Sequence, residues 1–139
     1  MKENIHAYAF KLLKKKNYFI REFYLKLLNK YDVCEVNKVI KDFIMMELLN
    51  DKYLSEMKIC YLLHIKMYGR KYIENYFTHK GISYNLIKYH LSKYKEDIYL
   101  KNIDKIKEEL IKKSKSEEYI YNYLLRKGYT EDEIKRYVS

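Results

Sequence analysis

Residue types able to do chemistry are present in this chain, but their spacing denies most of them a site. His6, His64, His79 and His90 have no Glu or Cys placed as a helical zinc site requires, so structural or surface roles are expected for all four. Cys34 and Cys60 lie inside apolar helical stretches and are spaced neither as a metal pair nor as a CxxC redox motif. They read as small core hydrophobes in a reducing compartment. The acidic groups Glu96-Asp97, Glu108-Glu109, Glu117-Glu118 and Glu131-Asp132-Glu133 begin helices or interleave with lysines. Helix dipoles and exposed i,i+4 pairing account for them better than acid–base catalysis does. No Walker loop, GxSxG or HExxH occurs, and three isolated glycines cannot build a phosphate cradle. The expectation is a protein that is not an enzyme and carries no metal or cofactor.

The basic residues are more promising. Lys14, Lys15 and Lys16 with Arg21, Lys26 and Lys30 fall early in the chain, and Arg70 and Lys71 with Lys80 and Lys88 follow. For any one lysine a solvated helix face is the simpler reading; as a set, this density suits neutralisation of phosphates. The net charge of +10 is also unevenly placed: residues 1–49 hold 10 Lys/Arg against 6 Asp/Glu, residues 50–94 hold 8 against 3, and residues 95–139 hold 11 against 10. A polyanion is drawn mainly to the first two thirds. The 18 tyrosines fit base stacking, but the codon usage of an AT-rich genome explains them equally well, so no single Tyr is assigned that role. Helices expected over 83–94 and 130–138 carry few Arg, Asn or Gln suited to reading base edges, which argues against sequence-specific recognition.

The elements that must position these charges follow from composition and repetition. With no Pro among 139 residues, and Leu, Ile, Lys, Glu and Tyr dominant, the chain favours helices. Lys80-Gly81-Ile82 and Lys127-Gly128-Tyr129 are matching segments 47 residues apart, and a weaker copy without Gly is centred on Lys30-Tyr31. In this register Phe23, Ile73 and Ile120 stand seven residues before the lysine, and Leu27, Phe77 and Leu124 three before. After the turn Ile87 and Leu91 match Ile134 and Val138, with Val36 and Ile40 matching if the first copy is one residue shorter. Lys-Gly-apolar is a helix C-cap pattern, and Ser83 and Thr130 are placed to cap the next helix, Thr130 with Glu133 as a capping box.

Leading helices are expected over 5–16, about 51–68 and about 96–113. The result is an all-α protein of three tandem three-helix repeats, nine helices in a curved, elongated row, with units at 1–49, 50–94 and 95–139. Phe10, Phe23, Tyr72, Phe77 and Tyr123 are expected largely in cores or junctions. Lys11 and Lys14 to Lys16 interrupt any apolar run at the N-terminus, so a cytoplasmic location without a signal peptide or membrane segment is expected; the chain is also expected to be a monomer.

The string Leu48-Leu49-Asn50-Asp51, Tyr53, Gly69, Ile73, Phe77 and Lys80-Gly81-Ile82 resembles the central signature of the RecX family, and Ala7-Tyr8-Ala9-Phe10 with Leu12-Leu13 is similar to its opening helix. The likeness spans essentially the whole chain. Asn50-Asp51 stands where the family has paired aspartates, Arg70 where Pro is common, the segment from Tyr53 to Gly69 is slightly longer, and the first unit lacks a helix-capping Ser. The resemblance implies a regulator of the RecA recombinase in homologous recombination and the SOS response. Such a protein lies in the groove of the RecA–single-stranded DNA filament and suppresses ATP hydrolysis and strand exchange. On that reading Lys14, Lys15, Lys16, Arg21, Lys26, Arg70, Lys71, Lys80 and Lys88 face DNA phosphates or an acidic recombinase surface, and Asp51 caps the fourth helix or pairs with a protomer lysine. The competing expectation is a general basic helical DNA-binding protein with no recombinase partner.

Overall fold

The computed structural model describes residues 3–138, and of the last two of these only the backbone. Among the described residues there are nine α-helices and no strand: α1 Ile5–Lys15, α2 Ile20–Leu28, α3 Val33–Met45, α4 Asp51–Cys60, α5 Arg70–His79, α6 Tyr84–Leu91, α7 Glu96–Lys112, α8 Glu117–Arg126 and α9 Glu131–Val138. They follow one another as three trios. In each trio the second helix ends one or two residues before the turn lysine, and the apolar positions seven and three residues before that lysine are buried: Phe23 and Leu27, Ile73 and Phe77, Ile120 and Leu124.

The turns form as their chemistry requires. Gly81 and Gly128 adopt φ of +82° and +98°, and the next amides, Ile82 and Tyr129, donate back to Phe77 and Leu124 carbonyls at 3.0 and 3.2 Å. The following helix starts at a polar cap: Ser83 Oγ accepts from Leu86 N–H, and Thr130 and Glu133 exchange bonds at 3.0 and 3.2 Å. Asp32 fills this place in the first trio, accepting from Glu35 N–H, so the missing Ser costs nothing. The side chain of Val138, matched to Leu91 in the repeat register, lies outside the described residues.

The slightly long segment before Gly69 is absorbed in a π-helical turn, Tyr61–Ile65, continuous with α4. A π turn carries an extra residue and shifts the bonding to i→i+5: Lys66 N–H reaches Tyr61 O at 3.0 Å. The buried Leu63 carbonyl accepts instead from the Asn102 side chain on α7, at 2.9 Å.

The apolar interior is two cores. Ala9, Leu12, Phe23, Leu27, Tyr31, Val36, Val39, Phe43 and Leu49 close the first trio on itself. The middle and last trios share the other, from Ile59 through Phe77 and Tyr99 to Ile134. One side chain of the first trio, Phe19, is buried in this second core, edge-on to Phe77 at 6.0 Å.

Two expectations about the interior fail. Cys34 and Cys60 are exposed, because α3 turns Val36, Val39 and Phe43 inward and leaves Cys34 on the opposite face, while Cys60 ends α4 with its Sγ 3.6 Å from Tyr94 Oη. Phe10 is 41% exposed, although its ring lies 4.8 Å from that of Phe43.

Candidate nucleic-acid interface

The anticipated basic residues separate into groups with different surroundings. Lys14 and Lys15 end α1 in solvent, and Lys16 and Lys26 line a shallow groove beside Tyr18 and Asn29. Lys16 lies over the Tyr18 ring at 4.5 Å and 3.5 Å from Glu22. On the middle trio, Arg70 and Lys88 line a cleft of about 530 Å³ between α5 and α6, with Tyr84, Ile87 and Leu91 on its walls. Arg70 and Lys71 also border a second cleft of about 380 Å³ toward α9, where Glu74, Glu96 and Glu133 make the lining mixed in charge and Arg136 pairs with Glu96.

Several of these residues have partners inside the fold. Lys80 Nζ is 2.7 Å from Glu22 Oε2, an ion pair that joins α5 to α2. Burial works to raise Glu22, but the Lys80 hydrogen bond, the Lys80 and Lys16 charges and the Phe19 N–H together hold its carboxyl below the usual range. The same bond raises Lys80. Lys80 is therefore a junction residue already facing a carboxylate. Arg21 lays its aliphatic stem over Gly81, where a built Cβ would stand 2.4 Å from Arg21 Cδ. The Arg70 guanidinium sits 4.9 Å from the centroid of the buried Tyr99 ring, whose phenol is pushed up by burial against the pull of Arg70.

Asp51 is a cap, but not of the helix it begins. Asn50 Oδ1 caps α4 through Tyr53 N–H at 3.1 Å, whereas Asp51 Oδ1 crosses the junction and accepts from Ile20 N–H, at 2.8 Å, at the start of α2. Burial raises its carboxyl above the ordinary value, with the Ile20 bond opposing. Sequence reasoning could not find this pair, since 31 residues separate the partners. It also missed Glu22, which looks like any helix-surface carboxylate until Lys80 is placed beside it.

Of the histidines, His90 is buried with Nε2 2.9 Å from Ser55 Oγ, tying α6 to α4. Among the described residues no cluster of His, Cys, Asp or Glu is arranged to hold a metal ion. No helix among them is long and apolar enough to cross a membrane.

With Lys80 in an ion pair and Arg70 over a ring, the cations of the anticipated set with no carboxylate within ion-pair distance among the described residues include Lys14, Lys15, Lys26, Lys71 and Lys88. The fold that carries them is the RecX fold. RecX from Lactobacillus salivarius, a crystal structure, superposes with a TM-score of 0.79 over 96% of this chain and 92% of that one, at 22% sequence identity. A second crystal structure, of the regulatory protein RecX, gives a TM-score of 0.81 over 96% of this chain and 69% of that one, at 14% identity. No protein-family description matches the chain by sequence, and neither does any curated protein.

Proposed function

We propose that this chain regulates a RecA-type recombinase by lying along its filament on single-stranded DNA and slowing ATP hydrolysis and strand exchange. The observation that carries the reading is the RecX fold over nearly the entire chain. Its support is the uneven charge, with the excess of Lys/Arg over Asp/Glu concentrated on the first two trios. A row of helix trios presents several weak sites at a fixed spacing, and a filament presents repeated protomers, so each added contact raises the effective concentration for the next. No catalytic group is required for this; the chain acts by occupying a groove.

Lys14, Lys15, Lys26, Lys71 and Lys88 are the residues assigned to DNA phosphates or acidic recombinase surface. Arg70 serves best by holding α5 against Tyr99, and Lys80 by joining two trios. The test measures the ATPase of the cognate recombinase on single-stranded DNA with this protein at sub-stoichiometric amounts. Inhibition that weakens in a Lys71→Glu/Lys88→Glu variant, with unchanged circular dichroism, is the expected result. Undiminished ATPase at every ratio of the wild-type protein overturns the reading. Equal affinity for naked DNA and filament favours the general DNA-binding alternative.

A further inference from the structure

The repeat register that aligns the turn lysines also aligns two tyrosines before each: Tyr72 with Tyr119 eight residues earlier, and Tyr76 with Tyr123 four residues earlier. The first trio has Glu22 and Lys26 at these places. In both later trios the turn lysine lies over the tyrosine four residues back, Lys80 over Tyr76 at 5.7 Å and Lys127 over Tyr123 at 5.8 Å. At the junction of the last two trios the pattern becomes continuous. Tyr72 stacks on Tyr68 with centroids 3.7 Å apart and planes 8° from parallel, Lys127 Nζ is 4.4 Å from the Tyr68 centroid, and Tyr123 stacks on Tyr119 at 6.4 Å and 22°. Lys115 closes the row, 4.8 Å from the Tyr119 centroid.

These rings are only partly buried, Tyr68 and Tyr123 packing one side against the second core. Tyr68, Tyr72 and Tyr123 are half-buried, Tyr119 is 39% exposed, and the four with Arg126 and Lys127 line an open notch of about 360 Å³. Lys127 is fixed there by donating to Lys66 O at 2.8 Å. Rings held at stacking distance, with ammonium and guanidinium groups beside them, match what a flexible polyanion of flat bases presents: a π-face for each base and a cation for each phosphate.

From this we infer that the notch is a base-stacking platform for single-stranded nucleic acid, with Tyr119 and Tyr123 taking bases and Arg126 and Lys115 the adjoining phosphates. The inference deepens the proposed reading and rests on it for the choice of nucleic acid. It also assigns a role to the last trio, whose net charge gives no hint of one.

The experiment is fluorescence anisotropy on the full chain with labelled dT15, rU15 and an abasic 15-mer of the same phosphate count, without recombinase. Wild-type protein should bind dT15 or rU15 about tenfold more tightly than the abasic strand, the better of the two identifying the natural strand. Tyr119→Ala/Tyr123→Leu, which keeps apolar bulk at the half-buried site, should lose about tenfold on the same strand, whereas Tyr119→Phe/Tyr123→Phe and the distant exposed Tyr53→Ala should stay within twofold. No binding of dT15 or rU15 by the wild type, an abasic strand bound equally well, or a folded Tyr119→Ala/Tyr123→Leu protein that binds within twofold of wild type overturns the platform. Because the recombinase is absent, a chain that still inhibits its ATPase while failing here loses the platform alone.

Discussion

Where the middle trio meets the last, the contact is backbone on backbone and the interior is shared; where the first meets the middle, the same topological position is held by charged side chains and one buried ring. At the former, Gly69 N–H donates to Lys127 O at 2.8 Å, Tyr129 Oη to Met67 O at 2.5 Å and Asn102 to Leu63 O. At the latter, Glu22 pairs with Lys80, Asp51 caps α2, and Phe19 enters the neighbouring core. Both junctions bring the start of a second helix against the next trio's Lys-Gly turn. At the first trio's own turn, Tyr31 stands where the later turns have Gly, packing its ring in the core with its hydroxyl on Glu3 O. The last trio's second helix is capped locally, Ser116 Oγ accepting from Tyr119 N–H.

The comparison predicts that α4 to α9 unfold as one block and that the first trio separates more readily, and its sharpest test is at the two glycines. A Cβ on Gly128 would stand 2.5 Å from Tyr72 Cβ and 2.6 Å from its backbone nitrogen, with φ at +98°. Gly128→Ala should cost about 3–4 kcal/mol, from left-handed strain plus overpacking that backbone cannot relieve. At Gly81 the obstruction is the Arg21 side chain, which can swing away. Gly81→Ala should cost only about 1–2 kcal/mol, with Arg21→Ala in the same chain recovering part of it. Urea titration of the three variants checks the ranking; equal losses at both glycines would erase the distinction between the junctions.

Removing the Phe19 ring should cost about 3 kcal/mol, the usual range for a fully buried phenylalanine. Native-state hydrogen exchange in Phe19→Ala should show the first trio's helices losing protection relative to α7 and α8. If α7 loses as much as α2, the joint is not the weak seam.

A smaller effect belongs to the ion pair. Glu22→Gln should cost about 1 kcal/mol, because both partners are only partly buried, and the loss should shrink in high salt. Glu22 ionises more readily folded than unfolded, so its stabilisation is present above its ordinary value of 4.5 and lost as pH falls through the folded value. Asp51 acts oppositely: raised above its ordinary 3.8, it is relieved as pH falls. Acid titration of Glu22→Gln beside Asp51→Asn should therefore give changes of opposite sign.

The least effect is at His90. Burial holds its imidazole below the ordinary 6.5, so the unfolded chain takes up the proton first and stability declines as pH falls below about 6.5 toward the folded value. In His90→Gln that part of the decline should disappear from melting curves between pH 7 and 5.

The sequence carried the helix trios, the turn glycines and the polar caps because each is a local pattern, readable within one or two turns: Phe23 with Leu27, Ser83 before Tyr84, Thr130 with Glu133. The charge groups were legible as types but not as sites. Lys80 reads the same as Lys88 along the chain, yet one faces Glu22 and the other lines an open cleft. The cysteines were misplaced because apolar neighbours in sequence lie around a helix, not on one side of it. The meeting of the tyrosines was invisible for a related reason: Tyr68 and Tyr123 come together beneath Lys127, across a junction that no local spacing encodes.

By itself, then, the order of residues determined the nine helices of the described residues, their threefold grouping and the basic bias of the first two thirds, since hydrophobic period, capping chemistry and net charge are additive along a chain. Tertiary structure alone decided that two trios fuse around one core while the first is held by a charged seam, and which lysines remain open to a partner. Those outcomes depend on residues 31 to 62 positions apart coming within hydrogen-bond distance, and a hydrogen bond's partner is chosen by space, not by sequence neighbourhood.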